Sequence, residues 1–160
     1  MNQFYLSVGS NTDAANNLKA IVRALRKQTE VMAVSSVYES PDSEGGGRVY
    51  LNAAVQVADK RPPATLKREV LRPIEEHLGR ERNKQAVTAD IDIVMVNSDV
   101  LSYEGREIPD PDILRHAHIA RPLADIAPNL VHPLAEQPLS AIAGQLDVSP
   151  LKRRDDITLA

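Results

Sequence analysis

Residues 88–96 read TADIDIVMV, a run of β-formers interrupted twice by aspartate. Side chains alternate across a strand, so Ile91, Ile93 and Met95 are expected on one buried face and Asp90 and Asp92 on the other. Just upstream, residues 63–78 carry Leu66, Val70, Ile74 and Leu78 at four-residue steps. That spacing predicts a helix stopped by Gly79, with Pro73 kinking it or ending its regular part. Earlier still, VYLNAAVQV (49–57) predicts a strand with Leu51, Ala53, Val55 and Val57 on one face, and Tyr50, Asn52 and Gln56 on the other. VMAVSSVYE (31–39) and QFYLSV (3–8) read as two further strands. Between them, Leu18, Ile21, Val22 and Leu25 mark one face of a helix whose N-cap falls among Asn11, Thr12 and Asp13.

The order β-α-β-β-α-β predicts an α+β, ferredoxin-like fold: a four-stranded antiparallel sheet with both helices on one face. Residues 40–47 (SPDSEGGG) predict a mobile loop, because consecutive glycines are costly to order. Residues 99–160 read as a C-terminal extension of a core at 1–98, within one domain spanning 1–160. The extension predicts a turn-rich stretch from Asp99 to Pro111, short helices near 112–116 and 138–146, and a loose charged tail over 152–156.

Composition bounds the function. A chain of 160 residues, 42% hydrophobic, buries a real core and is not disordered. With one Phe, four Tyr and no Trp, that core must be aliphatic. The absence of Cys excludes disulfides, thiolate zinc sites and a cysteine nucleophile. A formal charge of −3 argues against nucleic acid as a partner. No apolar run long enough for a membrane span is present, so the expectation is a cytoplasmic protein with no membrane partner and no legible signal for oligomeric state.

Three clusters carry candidate chemistry. Asp90 and Asp92 lie two ~3.3 Å steps apart on one strand face. Carboxylates that close call for a compensating cation, and hard oxygen ligands suit Mg²⁺. The alternative is a solvated sheet face, but Asp is disfavoured in strands. Arg80-Glu81-Arg82 leads into that strand and is able to clamp a polyphosphate, although alone it is an ordinary charged loop. Arg115-His116-Ala117-His118 puts two imidazoles on one face if extended, a possible metal site or simply two exposed histidines.

These segments resemble the 6-hydroxymethyl-7,8-dihydropterin pyrophosphokinases (HPPK) of folate synthesis over about residues 5–133. The resemblance rests on LSVGSN (6–11), SSVYESP (35–41), YLNAAVQV (50–57), EEHLGRER (75–82), ADIDIVM (89–95) and IPDPDIL…RPLADIAPNLVHP (108–133). It implies a single HPPK-like domain that transfers pyrophosphate from ATP to a pterin hydroxymethyl group and releases AMP. It further implies two Mg²⁺ ions held by Asp90 and Asp92, with Arg80 and Arg82 as catalytic and nucleotide-positioning groups. Glu75, Asp110 and His116 fall at nucleotide-side positions, and Ser40, Pro41, Tyr50, Asn52 and His118 at pterin-side positions.

The sequence also departs from the family at ligand positions while the scaffold motifs remain. Ala86-Val87 stand where the family has Pro-Arg, and the loop before them lacks its Trp. Pro109-Asp110-Pro111 replaces Pro-His-Pro, and His116-Ala117-His118 replaces Arg-x-Phe. Loss of a charge-clamping arginine costs on the order of 10³-fold in rate, unless Arg106, Arg115 or Arg121 substitutes. Two alternatives therefore stand beside a divergent kinase. One is a metal-binding protein or hydrolase in which Asp90, Asp92, His116 and His118, with Asp110 nearby, share Mn²⁺ or Zn²⁺. The other is a non-catalytic binding module.

Overall fold

The computed structural model describes residues 1–42, 47–82 and 84–159. The chain enters through β1 (Asn2–Ser10), crosses in α1 (Ala14–Gln28), and returns through β2 (Glu30–Val34), β3 (Tyr38–Pro41) and β4 (Val49–Asp59). A second crossover follows in three parts: α2 (Pro63–Leu66), a π turn (Lys67–Leu71) and α3 (Arg72–His77). It delivers β5 (Asp90–Val96). The remainder forms the hairpin β6 (Leu101–Tyr103) and β7 (Arg106–Ile108), a 3₁₀ turn (Pro111–Leu114), α4 (Ala117–Ile126), the hairpin β8 (Val131–His132) and β9 (Gln137–Pro138), α5 (Leu139–Gln145) and β10 (Lys152–Arg153).

The main sheet is antiparallel throughout, with order β10-β3-β4-β1-β5 and β2 also paired to β4. The α+β, ferredoxin-like class read from the sequence is the class observed, but the sheet has six strands where four were expected. The stretch 31–39 is two strands because Ser35 interrupts it. Its N–H donates to Ala54 O (2.9 Å) while its Oγ, in place of a backbone carbonyl, accepts from Ala54 N (2.8 Å). The predicted Pro73 kink is a π turn placed ahead of the proline. Pro73 then sits in the first turn of α3, where a missing N–H is tolerated. Gly79, at φ +82, stops the helix as expected.

One core lies between the sheet and the two crossover helices. Leu18, Ile21, Val22 and Leu25 of α1, with Leu66, Val70, Leu71 and Ile74 of the second crossover, meet Phe4, Leu6, Val55, Ile91 and Ile93. The opposite face is covered as well. Ala120, Leu123 and Ala124 of α4 and Leu139 and Ile142 of α5 pack on Tyr5, Ala54, Val94 and Met95. The sequence reading missed α4, whose helical pattern is masked by Pro122.

Met95 also departs from the strict alternation. The β1–β5 register shifts between Tyr5 and Leu6, so Met95 faces α4 and α5 instead of the first core. The tail is not loose. Lys152 and Arg153 pair with Glu39 and Tyr38, Arg154 bonds Glu39 at 2.9 Å, and Leu159 joins the first core. Asp13 precedes α1 in a left-handed conformation and makes no side-chain cap to it. Of the mobile loop expected at 40–47, Ser40 and Pro41 instead end β3, paired with Tyr50 and Val49, and residues 43–46 lie outside the described residues.

Candidate active site

Strand register builds the site. β1 lies between β4 and β5, and its Gly9 is opposite Asn52 on one side and Asp90 on the other. One step on, Ser7 is opposite Asp92. A cleft of about 690 Å³ opens over this row, lined by Ser7 and Gly9 of β1, Ser40, Pro41 and Asp42 of the β3 end, and Tyr50 and Asn52 of β4. Arg80, Lys84, Val87, Asp90 and Asp92 line it as well, together with Asp112, His118 and Ile119. Gly9 is its floor: a Cβ there would stand 3.7 Å from Asn52 Oδ1 and 3.9 Å from Tyr50 Cδ1, filling the space between them.

Asn52 is 5% exposed. Its Nδ2 donates to Tyr38 O (3.1 Å) and to Ser40 Oγ (2.8 Å). The amide is thereby fixed with Oδ1 as the acceptor beside the Gly9 floor. Asn11, one of the N-cap candidates, serves another purpose together with Ser10. Asn11 N and Nδ2 donate to Val87 O (2.9 Å) and Gln85 O (2.8 Å), and Asn11 Oδ1 accepts from Val87 N (2.6 Å). Ser10 Oγ donates to Val87 O as well. These bonds staple the loop before β5 to the end of β1.

The carboxylate pair is ringed by cations. Arg80 Nη1 lies 3.3 Å from Asp90 Oδ1 and donates to Ala89 O at 2.9 Å. Asp92 Oδ1 has Arg106 Nη2 at 3.6 Å and Lys67 Nζ at 3.8 Å. The Asp92 carboxyl is nonetheless pushed up to about 7, first by burial and then by the charge of Asp90, with Lys67 and Arg106 pulling it back. Glu75 is fully buried, where Oε2 accepts from Ile91 N and Oε1 from Arg82, each at 2.8 Å. Burial, helped by His116, lowers the pKa of His118. Tyr103 Oη is buried with no hydrogen-bond partner among the described residues, and burial raises its pKa.

Of the sequence-derived site residues, Ser40, Pro41, Tyr50, Asn52, Arg80, Asp90, Asp92 and His118 line one cleft. Glu75, Arg82, Asp110 and His116 are not among the described residues that line it. Arg82 is turned to Glu75, and Asp110 caps the 3₁₀ turn by accepting from Asp112 N at 2.9 Å and also bonds Arg106. His116 stands before α4 with its ring 5.2 Å from that of His118. The shared Mn²⁺ or Zn²⁺ site finds no support: among the described residues no three His, Asp or Glu side chains converge on one ion. Sequence reasoning missed Gly9, Ser7, Asp112 and Lys67, and it named Arg106 as a substitute phosphate arginine without its pairing to Asp92. Only Gly9, at the end of an apolar strand, carried a local signal.

Fold and cleft define a ferredoxin-like α+β domain with a polar cleft over its sheet, beside a carboxylate pair. The family model for 7,8-dihydro-6-hydroxymethylpterin-pyrophosphokinase (HPPK) matches residues 5–128, and the chain belongs to that family. It is 33% identical over 164 residues to the 2-amino-4-hydroxy-6-hydroxymethyldihydropteridine pyrophosphokinase of Methylorubrum extorquens, covering 96% of this chain and 99% of that one. It is 35% identical over 138 residues to a folic acid synthesis protein of Dictyostelium discoideum, covering 82% of this chain but only 20% of that much longer one. The crystal structure of Plasmodium falciparum HPPK-DHPS with pteroate shares the fold, with a TM-score of 0.75 at 13% identity over 95% of this chain and 47% of that one. Among the described residues, no helix is long and apolar enough to cross a membrane.

Proposed function

We infer that this chain is a divergent HPPK-type enzyme, which transfers pyrophosphate from Mg·ATP to the hydroxymethyl group of a dihydropterin and releases AMP. One observation carries the reading: a single cleft joins a fixed amide acceptor, Asn52, to the Asp90–Asp92 pair across the Gly9 floor. Strand spacing of ~4.8 Å puts the two ends about 10 Å apart, room for a pterin whose hydroxymethyl arm points to the carboxylates. Asn52 Oδ1 accepts from the amino edge of the pterin, Tyr50 walls the ring, and the Ser40-Pro41 backbone borders it.

The residues present fit Mg²⁺: Asp90 and Asp92 put two adjacent hard-oxygen ligands on one wall of the cleft. Asp90 and Asp92 would hold it, and when bound it neutralises charge on the phosphate oxygens. Arg80, anchored on Ala89 O, has a guanidinium beside Asp90 to position phosphate. The reaction asks mainly for alignment of the pterin oxygen with the β-phosphorus, so holding both substrates along one row of strands is the principal contribution of the protein. In that transfer the hydroxymethyl oxygen forms a bond to the β-phosphorus, the bond to the α-phosphate oxygen breaks, and the hydroxyl proton is lost.

Incubation with Mg·ATP and 6-hydroxymethyl-7,8-dihydropterin is expected to release AMP and pterin diphosphate in equal amounts. AMP no greater than that from an Asp92→Ala control would end this reading. Divergence has its own test. Restoring the family groups with Asp110→His and His116→Arg is expected to raise kcat by roughly tenfold or more, and an unchanged kcat would show that these positions do not limit the rate.

A further inference from the structure

Asp92 sits within an unbroken line of alternating charge. Arg82 Nη2 is 2.8 Å from Glu75 Oε1, which is 3.9 Å from Lys67 Nζ. Lys67 Nζ is 3.8 Å from Asp92 Oδ1, which is 3.6 Å from Arg106 Nη2, and Arg106 is 3.3 Å from Asp110 Oδ2. Two cations from distant parts of the chain thus meet the same carboxylate oxygen.

Each is placed by its own device. Lys67 opens the π turn, is itself buried, and donates from its ammonium to Ile91 O. Arg106 follows the two-residue turn Glu104-Gly105, whose φ values of +48 and +77 fix the hairpin so that Arg106 pairs with Tyr103. Both cations stand beyond 3.5 Å from Asp92, so they compensate its charge without taking up its lone pairs. The carboxylate stays free to act as a ligand while its attraction for a cation is reduced.

We propose that Lys67 and Arg106 are positioning residues acting through Asp92, which hold the affinity of the carboxylate pair for a free divalent cation low until an anionic phosphate ligand arrives with the metal. This rests on the metal role given above to Asp90 and Asp92. A unit positive charge within a few ångströms of a divalent ion in a partly solvated site weakens its binding by roughly tenfold. A triphosphate brings the opposite charge and offsets that repulsion. Arg106, on a hairpin and partly exposed, is able to turn toward the phosphate, whereas buried Lys67 stays on Asp92. The site therefore admits metal with nucleotide in preference to metal alone.

The test is Mn²⁺ binding to the full chain, followed by electron paramagnetic resonance, alone and with α,β-methylene-ATP. Arg106→Leu is expected to tighten binding of Mn²⁺ alone about tenfold, and Lys67→Met similarly, while Arg106→Lys retains the wild-type affinity. The gain should disappear in Arg106→Leu/Asp92→Asn, and the analogue should shrink the difference between Arg106→Leu and wild type to within threefold. If Arg106→Leu binds Mn²⁺ alone within threefold of wild type, the proposal is overturned, whether or not Lys67→Met folds. AMP release by the wild type is measured in parallel. Its absence beside a tenfold Mn²⁺ gain in Arg106→Leu removes the kinase reading and leaves the control of metal affinity standing.

Discussion

At the β3–β4 end of the cleft, Asn52 is held by two neutral hydrogen bonds of 3.1 and 2.8 Å, to Tyr38 O and Ser40 Oγ. At the β5 end, Asp92 is held between ion pairs of 3.8 and 3.6 Å. The first arrangement is short, directional and made by adjacent strands, so it is complete before a ligand arrives. The second is longer, non-directional and assembled from a helix and a hairpin distant in the chain, so it is set by a balance of charge. One end selects a shape, and the other responds to ionic surroundings.

That contrast can be broken at either end. The largest effect is expected at Asp92. Asp92→Ala should lower kcat/KM by about 10³-fold or more, since positioning and charge neutralisation carry the reaction, with little change in the binding of pterin alone by calorimetry. Second is Asn52→Ala, which leaves the buried Ser40 hydroxyl without its donor and removes the acceptor from the pocket. A loss of about 1–3 kcal/mol in pterin binding is expected, roughly 5- to 150-fold in Kd, with Mn²⁺ affinity unchanged.

The two ends should also separate by pH. Metal requires the ionised carboxylate of Asp92, which is pushed up to about 7, so Mn²⁺ affinity should climb between pH 6 and pH 8 while pterin affinity stays flat. The sign for stability is the reverse. A carboxyl whose folded-state pKa exceeds its unfolded value near 3.8 favours the metal-free fold at low pH. That contribution fades as pH rises through about 7. Thermal melts of the metal-free wild type should therefore lose stability between pH 4 and pH 7 relative to Asp92→Asn. The smallest effect is expected from Arg154→Ala, which cuts the half-buried link from the tail to Glu39 of β3. The pterin KM should rise by no more than about threefold at constant kcat, and a larger rise would show that the amide end also depends on charge.

Local pattern in the chain reaches the neutral end better than the ionic one. The apolar rows of α1 and of the second crossover are the buried rows observed, and Asn52 and Asp90 face the cleft as strand alternation requires. Pattern fails where tertiary contacts decide. Met95 changes face because of a register shift that two other residues create. The tail is a strand only because β3 offers it an edge. Lys67 lies in a helix with nothing in its spacing to say that it reaches Asp92, and Arg106 looks like any hairpin charge until β7 is set beside β5. Ion pairs across the edge of a sheet have no sequence period, so periodicity cannot find them.

The same edge has a further consequence. β5 is the last strand of the main sheet, where outward N–H and C=O groups would ordinarily invite another chain to add a strand. At Ile91 both groups are already engaged, the N–H by Glu75 and the C=O by Lys67. Two side chains from one helical crossover stand in for a neighbouring strand, so the groups that organise the acidic end also deny a foreign polypeptide its point of attachment.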